Sequence, residues 1–550
     1  MSDTTKSIMK SAGRFFSGTM LSRISGMVRD MTMAYAFGTQ EAISGFLVAF
    51  RLSHLLRRIF GEGALQSAFI PQFETLRSEH PATAGLFFRD LAYKLSVLLM
   101  LIILLAMSLL GMVWMWGDLD AGNLEIVGLT ILLMPSLLFI CLFGLNASLL
   151  QCEKSYFIPG VAPVAFNVLW AAGVCTLWNL PQERAMQGLT GWVIAACMAQ
   201  WAMTLPQTWK ILHRLKDTQQ EKAQQSFEIK KLFSLSPELK GLFKPLLLGI
   251  LGVAAAQINN ALDAIFARYA DSEGPALLWY ALRIQQLPVA LFGVAISGAL
   301  LPPLTRALKE HDTARFRQFL EFAMRRSVAL LLPITAGIFI MGDTCVNLLY
   351  GRGDFGAQST VGTTLCLWGY GIGLLPTCVV LILAPAFYAQ KNPRVPATIS
   401  VVAVGLNVGL NALLISGLGL GAASVAVATS ASAWVNCLLL GYFLEDTRFI
   451  LGRKLGLSLC RVALASTAAI LAVIAVDVGV IGHSSVWQIL NGEIPNLSQA
   501  LSVQLWCFFI QGAAFTSAFF AIWSAGPWHR FHKHRLADVS NDTGRVKTIA

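Results

Sequence analysis

Seven arginines lie inside stretches of this sequence that are otherwise apolar enough to cross a lipid bilayer. They are Arg23, Arg29, Arg51, Arg57, Arg58, Arg283 and Arg461. An arginine at the centre of a bilayer costs about 3 kcal/mol on insertion scales, so these residues need polar surroundings. A guanidinium keeps its charge and binds phosphate through paired hydrogen bonds, which suits a pyrophosphate better than a lysine would. The sequence therefore predicts a hydrated cavity that binds an anion.

Three of these arginines also have a purely structural explanation. Arg461 lies near the start of its apolar run, from which a long side chain can reach the membrane surface. Arg51 and Arg58 are seven residues apart on one helix face, and Arg58 and Glu62 have the i, i+4 spacing of an ion pair. For Arg51 and Arg58, structural pairing and a place in the cavity remain alternatives.

The segment LSRISGMVRD (21–30) carries polar residues on more than one face of the predicted helix. Ser22, Ser25 and Arg29 line one face, and Arg23 and Asp30 lie two turns apart on another. Such a helix is unfavourable against lipid, so we expect it to border a wet cavity.

Both halves of the chain contribute to the expected charge of this cavity. Arg57 comes from the first half and Arg283 from the second, whereas the acids beside them are Asp30 and Glu62. Since the bases outnumber the acids, the sequence predicts a net positive interior.

A second cluster consists of oxygen-bearing side chains with no thiol or imidazole beside them. Asp263 lies far from either end of its apolar run, Asn407 and Asn411 are one helical turn apart, and Thr429 is on the next run. Such oxygens suit a hard cation such as Na⁺. The alternative is hydrogen bonding between helices, which Asn and Thr often provide in membranes.

The composition indicates the elements that must position these residues. The chain of 550 residues is 55% hydrophobic and 13% charged, with a mean hydropathy of +0.63, whereas a soluble domain carries about 25% charged residues. Backbone groups in lipid must bond within their own segment, so the apolar runs predict helices. The prediction is an all-α integral membrane protein with fourteen transmembrane helices. The runs are 12–37, 43–70, 92–115, 125–150, 158–178, 188–212, 241–268, 275–303, 325–348, 361–389, 396–416, 418–444, 455–481 and 501–526.

The placement of charge predicts the orientation. With fourteen spans both termini share one side, which carries 31 lysines and arginines against three on the other side. Positive charge marks the cytoplasmic side, so we expect both termini in the cytoplasm. The net charge of +11 then reflects topology and contact with membrane lipids, chiefly in the basic loop 209–231, and no nucleic-acid partner is expected.

A faint internal repeat links the two halves. Arg51 and Arg283 occupy matching positions at an offset of 232 residues, as do Pro71 and Pro303. We infer a duplication into two pseudo-symmetric six-helix lobes around a central cavity, plus two C-terminal helices. The predicted parts are the N-lobe 1–212, a cytoplasmic linker 213–240, the C-lobe 241–445, and 446–550 with the last two helices and a cytoplasmic tail.

Four segments carry a resemblance to a known family. SRISGMVRD (22–30), VAFRLSHLLRRIFGEGALQSAFIP (48–71), WYALRIQQLPVALFGVAISGALLP (279–302) and FYAQKNPRVP (387–396) resemble the MurJ (MviN) family. Its members are lipid II flippases of peptidoglycan synthesis, within the multidrug/oligosaccharidyl-lipid/polysaccharide exporter superfamily. The resemblance implies a transporter with lipid II as its substrate and other cell-wall synthesis proteins as partners, and no enzymatic activity. It also implies a groove beside the last two helices for the polyprenyl tail.

The resemblance assigns roles residue by residue. It implies that Arg23, Arg29, Arg57 and Arg283 bind the substrate's pyrophosphate, supported by Ser22, Asp30, Arg58 and Glu62. It implies a sodium site at Asp263, Asn407, Asn411, Val425 and Thr429, with Na⁺ as coupling ion and no other cofactor. Ser44 and Asn411 stand where other members have an aspartate, and the second change removes a negative charge from the expected sodium site.

Three other functions remain open from the sequence. A flippase for another polyprenyl-linked glycan would use the same arginines. A cation-coupled drug exporter of the same superfamily would need an acidic or aromatic cavity, which the arginines oppose. A membrane glycosyltransferase would need an outer carboxylate site, for which Asp118 and Asp120 are the candidates.

Overall fold

The structure, a computed structural model, describes residues 5–55, 57, 63–79, 81–217, 241, 246, 257–444, 453–481, 485–495 and 497–525. Within these ranges the chain is helical and contains no β-strand. This confirms the prediction of an all-α membrane protein, as expected for a chain whose backbone must satisfy its own hydrogen bonds in lipid.

Nine helices of the described ranges are long and apolar enough to cross a membrane, and they become ten if one bent pair counts as a single span. That pair, Ala121–Leu133 and Ser136–Cys152, meets at 46° in the predicted run 125–150, where Pro135 interrupts the helix. The predicted run 188–212 is likewise divided, by a turn at Met203 and Thr204. The count of fourteen stays a prediction.

The first half of the chain contains ten helices in the described ranges. They are α1 Thr5–Phe37, α2 Glu41–Ser53, α3 Ala64–Glu79, α4 Pro81–Trp116, α5 Ala121–Leu133, α6 Ser136–Cys152, α7 Phe157–Leu177, α8 Gln182–Ala202, α9 Leu205–Asp217 and α10 257–270.

The second half contains ten further helices in the same ranges, with three π-helical segments. They are α11 Gly274–Pro288, α12 Ala295–Lys309, α13 Thr313–Tyr350, α14 Ala357–Ile372, α15 Leu374–Ala389, α16 Arg394–Asn411, α17 Ala423–Phe443, α18 Arg453–Val476, α19 Ser485–Leu490 and α20 Leu501–Ala525. The π-helical segments Val289–Val294, Ala412–Gly417 and Asp477–Ile481 each continue a preceding helix.

The chain forms two compact units. The first unit comprises Met1–Arg283, Arg352–Ser359 and Ser400–Ala428. The second comprises Ile284–Gly351, Thr360–Ile399 and Thr429–Ala550. The division into two six-helix lobes and two appended helices remains a prediction.

Close packing of α1 against α7 positions the polar residues of the first unit. Gly18 of α1 faces the backbone of α7, where a Cβ on Gly18 would lie 3.1 Å from the carbonyl carbon of Gly160 and 3.2 Å from the carbonyl oxygen of Phe157. Only a residue without a side chain allows this approach, as is usual at helix contacts in membranes. Eight residues farther along α1, Gly26 lies against Asn167 of the same neighbour. The contact therefore sets the distance between Arg29 and the side chains of α7.

The second unit has its own apolar core. Leu304, Phe316, Leu320, Ile382 and Phe387 are at most 2% exposed and pack α12, α13 and α15 together. Two smaller apolar clusters join α13, α18 and α20. The last helices of the chain are thus part of a packed core.

Candidate functional site

Asp30 lies between two guanidinium groups in the first unit. Arg29 donates from Nη2 and Nε to Asp30 Oδ1 over 2.7 and 3.0 Å, and Arg283 Nε lies 3.0 Å from Asp30 Oδ2. The Asp30 side chain is 1% exposed and that of Arg29 6%, whereas that of Arg283 is 33% exposed. One carboxylate therefore serves two arginines, and only one of the two arginines is open to an incoming ligand.

Indole rings surround the same charges. Trp170 of α7 lies under the guanidinium of Arg29, with 4.7 Å from Cζ to the ring centre. Trp279 of α11 lies 4.5 Å from Arg283 Cζ and 5.5 Å from Arg51 Cζ. The indole nitrogen of Trp279 also points to Asp30 Oδ1, at 3.4 Å. Aromatic faces attract guanidinium groups, so the rings of Trp170 and Trp279 hold the arginines without adding negative charge.

Asn167 of α7 fixes Arg29 from the opposite side of Asp30. Its Oδ1 accepts from Arg29 Nη1 at 3.1 Å. Its Nδ2 donates to the Ser22 carbonyl at 3.1 Å and to Ser25 Oγ at 3.0 Å. The sequence prediction did not include Asn167, Trp170 or Trp279. A polar side chain within the apolar run 158–178 could have indicated the first, but no spacing rule indicates which tryptophans face an arginine.

Arg57 follows the end of α2 and belongs to the same charged region. Its backbone N–H donates to the carbonyl of His54 over 3.0 Å, and its charge acts on Arg29. His54 is buried and is held by the Phe50 carbonyl at 3.0 Å and by Ser136 Oγ at 3.3 Å. The turn after α2 thus holds a second base near the Asp30 cluster.

The remaining predicted residues have different positions. Arg23 is exposed, and among the described residues it takes no part in the Asp30 network. Ser22 contributes its backbone carbonyl to Asn167. Arg58 and Glu62 lie outside the described residues. Arg461, in the second unit, stacks on Trp523 at 4.7 Å and donates to its carbonyl, so contact with α20 holds it in place.

Four guanidinium groups and one shared carboxylate lie together among the described residues of this region. Asp30 is the counter-ion of both Arg29 and Arg283, and Arg51 and Arg57 place two further guanidinium groups near them. A charged side chain that is removed from water needs a counter-ion, and here two arginines share a single one. The partly exposed guanidinium of Arg283 is therefore the one of this pair that an anion could reach.

A set of polar contacts closes the far end of α1. Thr39 Oγ1 lies 2.5 Å from Glu273 Oε2 and 2.8 Å from Ser359 Oγ. The fully buried Ser44 donates to the Glu273 carbonyl at 3.0 Å and accepts from the N–H of Ala276 at 3.2 Å. These contacts join the ends of α1 and α2 to the start of α11 and to Ser359 in the first turn of α14, at a level beyond Arg29.

Three of the predicted cation-site residues meet in the first unit. Asn411 donates from Nδ2 to Asp263 Oδ1 at 3.1 Å and to Asn407 Oδ1 at 2.9 Å. Asp263 is 4% exposed and both asparagines are fully buried. Val425 is also buried on α17, and Thr429 lies one turn after it on that helix. The side-chain oxygens of this cluster suit a hard cation, although the Nδ2 of Asn411 lies between Asp263 Oδ1 and Asn407 Oδ1.

Of the two carboxylates considered for the alternative enzyme site, Asp120 has a structural role. Asp120 caps α5 by accepting from the backbone N–H of Asn123 at 3.3 Å and from its side-chain amide. Asp118 is exposed in the preceding turn. In the ranges that the structure covers, no group of three or more His, Cys, Asp or Glu residues could hold a metal ion.

Known proteins resemble this chain in sequence and fold. A family model described as lipid II flippase MurJ matches residues 33–495. A probable lipid II flippase MurJ of Chlamydia muridarum is 32% identical over 443 residues, which are 80% of this chain and 79% of that protein. A structure of lipid II flippase MurJ in an inward closed conformation aligns with a TM-score of 0.67 at 21% identity, over 92% of this chain and 99% of the other.

A more distant likeness supports the same fold class. An inward-facing multidrug resistance MATE family transporter of the MOP superfamily aligns with a TM-score of 0.61 at 12% identity, over 79% of this chain and 95% of the other. At that identity the likeness concerns the fold alone. The family model, by contrast, extends over most of the sequence and includes Asp30's partner Arg283, Asn167 and the Asp263 cluster. The chain belongs to the lipid II flippase MurJ family.

Proposed function

We propose that this protein moves lipid II from the inner to the outer leaflet of the bacterial inner membrane. The observation that carries the proposal is the shared carboxylate of Asp30, which binds the buried Arg29 and leaves the guanidinium of Arg283 partly exposed. Lipid II carries a disaccharide-pentapeptide on undecaprenyl diphosphate, and forked guanidinium groups bind phosphate through paired hydrogen bonds.

The physical problem is the transfer of a charged head group through hydrocarbon. Removing a phosphate from water costs far more than thermal energy. Fixed guanidinium groups replace the lost water in a cavity, while the apolar tail stays in the lipid alongside. A diphosphate that binds Arg283 competes with Asp30 for the same donor, so binding would loosen the contact between α1 and α11 and could start the conformational change.

The transport cycle we propose is alternating access. With both termini in the cytoplasm, as the distribution of positive charge predicts, the contacts of Thr39 and Ser44 would lie on the outer side and close the protein outward. Lipid II would load from the cytoplasmic side, and opening of these contacts would release it. An inside-negative potential favours outward movement of the anion by about 2.3 kcal/mol per charge per 100 mV.

Sodium is our proposal for the ion that resets the cycle. The Asn411 amide already lies within hydrogen-bond distance of both Asp263 and Asn407, and its rotation would turn a third oxygen toward the same point. Val425 and Thr429 lie one turn apart on α17.

The rival functions have weaker support. A drug exporter for cations would meet Arg51, Arg57 and Arg283, which repel its substrate. A glycosyltransferase would need Asp120 for chemistry, although that side chain caps α5. A flippase for another polyprenyl-linked glycan would use the same arginines, and only the sugar of its substrate would differ from that of lipid II.

The deciding experiment is depletion of the protein in growing cells, followed by measurement of the lipid-linked precursors on each leaflet. Accumulation of lipid II on the inner leaflet is expected. Accumulation of a different polyprenyl-linked glycan, with normal lipid II on the outer leaflet, would reject the proposal. Reconstituted vesicles with labelled lipid II then test whether the purified protein alone suffices.

A further inference from the structure

Arg461 of α18 differs from the arginines around Asp30 because no carboxylate accompanies it. Its Nη2 donates to the backbone carbonyl of Trp523 on α20, and its Cζ lies 4.7 Å from the centre of the Trp523 ring. Neither contact supplies negative charge. Within the ranges that the structure describes, Arg461 takes part in no ion pair. The helices α18 and α20 themselves contain no aspartate or glutamate.

One donor of this guanidinium lacks a hydrogen bond. The Nε of Arg461 is buried and has no acceptor among the described residues. A buried donor without an acceptor is unfavourable, and more so when the group is charged. The residue as a whole is only partly buried, so it is not closed off from molecules outside the protein. An anion is therefore the partner that this side chain needs.

The position of Arg461 and Trp523 along their helices places them near the edge of the hydrocarbon. Arg461 lies close to the start of the apolar run 455–481, and Trp523 lies close to the end of the apolar run 501–526. Tryptophan is common where a membrane-spanning helix leaves the hydrocarbon, and a long basic side chain near a helix end extends toward the polar head groups. The guanidinium is thus at the depth of lipid phosphates.

Exposed apolar side chains continue from this pair toward the middle of both helices. Leu464, one turn after Arg461, is 67% exposed, and Phe520, one turn before Trp523, is 61% exposed. The opposite side of the two helices packs into the apolar cluster shared with α13. A charged group beside exposed apolar side chains matches the two parts of a phospholipid, its head group and its acyl chains.

The sequence adds positive charge toward the same end of these helices. Arg453 and Lys454 occupy the first turn of α18, and Lys454 precedes Arg461 by seven residues, a spacing that places both on one helix face. On α13, Arg326 lies one turn before Ala329, which packs against the cluster of α18 and α20. Basic residues between membrane-spanning helices near the membrane surface bind anionic lipid head groups.

We propose that Arg461 and Trp523 form a binding site for the head group of an anionic phospholipid. A phosphate oxygen accepts from the guanidinium of Arg461 beside the indole ring, and one acyl chain lies along Leu464 and Phe520. The phosphate supplies the negative charge and the acceptors that α18 and α20 lack. A bound lipid stabilises the contact between these two helices. The site does not depend on the proposed transport of lipid II.

Thermal unfolding of the full-length protein in detergent with added phospholipid tests the proposal. Phosphatidylglycerol has a net negative charge and phosphatidylcholine has none, so phosphatidylglycerol should raise the unfolding temperature of the wild type more. Arg461→Gln should need about fivefold more phosphatidylglycerol for the same shift. Arg315→Gln is the matched control, because Arg315 also lies over a ring, that of Phe319, but has the carboxylate of Glu310 as its partner. It should respond as the wild type does.

Fluorescence quenching by phospholipids with brominated acyl chains gives a second measurement that needs no arginine variant. The difference in quenching between the wild type and Trp523→Phe isolates the contribution of Trp523. We expect this contribution to appear at a lower content of brominated phosphatidylglycerol than of brominated phosphatidylcholine. Equal contents for the two lipids would contradict the site even if Arg461→Gln does not fold.

Two further results would overturn the proposal. One is an equal response of the wild type and Arg461→Gln to phosphatidylglycerol. The other concerns inorganic phosphate without lipid, which should leave the unfolding temperature unchanged. A shift as large as that with phosphatidylglycerol, absent from Arg461→Gln, would make Arg461 a site for a soluble anion instead of a lipid.

Discussion

Arg283 Nε lies 3.0 Å from Asp30 Oδ2, and Trp279, one turn earlier on α11, directs its indole nitrogen to Oδ1 of the same aspartate. The contact ties α11 to α1, and the same aspartate holds Arg29. Because two arginines share one acid, the three residues are not equivalent. Replacing Asp30 removes the acid from both arginines, whereas replacing Arg283 leaves the ion pair of Arg29 and Asp30 complete. That asymmetry gives distinct expectations for the three residues.

Replacing Asp30 should affect folding, and replacing Arg283 should affect transport. Asp30→Asn leaves the buried Arg29 without its counter-ion, which we expect to cost about 3–5 kcal/mol of stability. Arg283→Lys keeps the charge but loses the forked donor, and loss of one charge-assisted hydrogen bond should weaken diphosphate binding about tenfold to a hundredfold. Thermal unfolding in detergent and lipid II translocation in vesicles measure the two effects.

The exposed Arg315 provides the control for Arg283. Its partner Glu310 is equally exposed, and such surface pairs contribute little. Arg315→Lys should therefore leave stability and translocation unchanged. Wild-type translocation by Arg283→Lys in the same vesicles would remove the case for bidentate phosphate binding.

Asn167 should act on transport through Arg29. Asn167→Leu keeps the approximate volume but removes the acceptor of Arg29 Nη1 and the donor to Ser25. Because a buried donor loses its partner, we expect a stability loss of about 1–3 kcal/mol and slower lipid II translocation. Asn167→Asp supplies the acceptor again and should recover part of the activity. Equal loss in both variants would indicate that only packing at this position matters.

The charged residues of the site were predictable from sequence because charge inside an apolar run is conspicuous. Asp30, Arg29 and Arg283 follow from that contrast, and so does the pair Asn407 and Asn411 through its one-turn spacing. The exposure of Arg23 and the burial of Arg29 could not be predicted, since both depend on how α1 is rotated against α7. Similarly, the bend near Pro135 depends on a local break that hydropathy does not reveal.

The approach of α1 to α7 offers a test of that rotation. Gly18→Val would place a branched side chain against the backbone of Gly160 and Phe157, where even a Cβ lies at 3.1–3.2 Å. We expect a loss of about 1–3 kcal/mol from overpacking, with reduced translocation because Arg29 moves relative to Asn167. Thermal unfolding measures the first effect. Gly405→Val is the control, since a Cβ there meets no atom within 4 Å, and an equal loss in both would rule out helix contact as the cause.

The contacts at the end of α1 should open during each cycle if the protein works by alternating access. Thr39 Oγ1 and Ser359 Oγ lie 2.8 Å apart, so cysteines at both positions can form a disulfide with little backbone movement. Oxidised Thr39→Cys/Ser359→Cys protein should not translocate lipid II, and a reducing agent should restore activity. The single variants should be active in either condition. Full activity of the cross-linked protein would show that these residues need not separate.

Asn411 determines the expected response to sodium. Its Nδ2 donates to both Asp263 and Asn407, so a cation must displace this amide before it can bind both oxygens. Asn411→Asp replaces the donor by a carboxylate oxygen and adds a negative charge beside Asp263. Two carboxylates in a buried site repel each other unless a cation or proton joins them. We therefore expect stronger sodium dependence of both thermal stability and lipid II translocation in this variant than in the wild type. Asp263→Asn should abolish the sodium response of both proteins, and potassium at equal ionic strength is the control for screening. A response to sodium that is the same in wild type, Asn411→Asp and Asp263→Asn would place the coupling ion elsewhere.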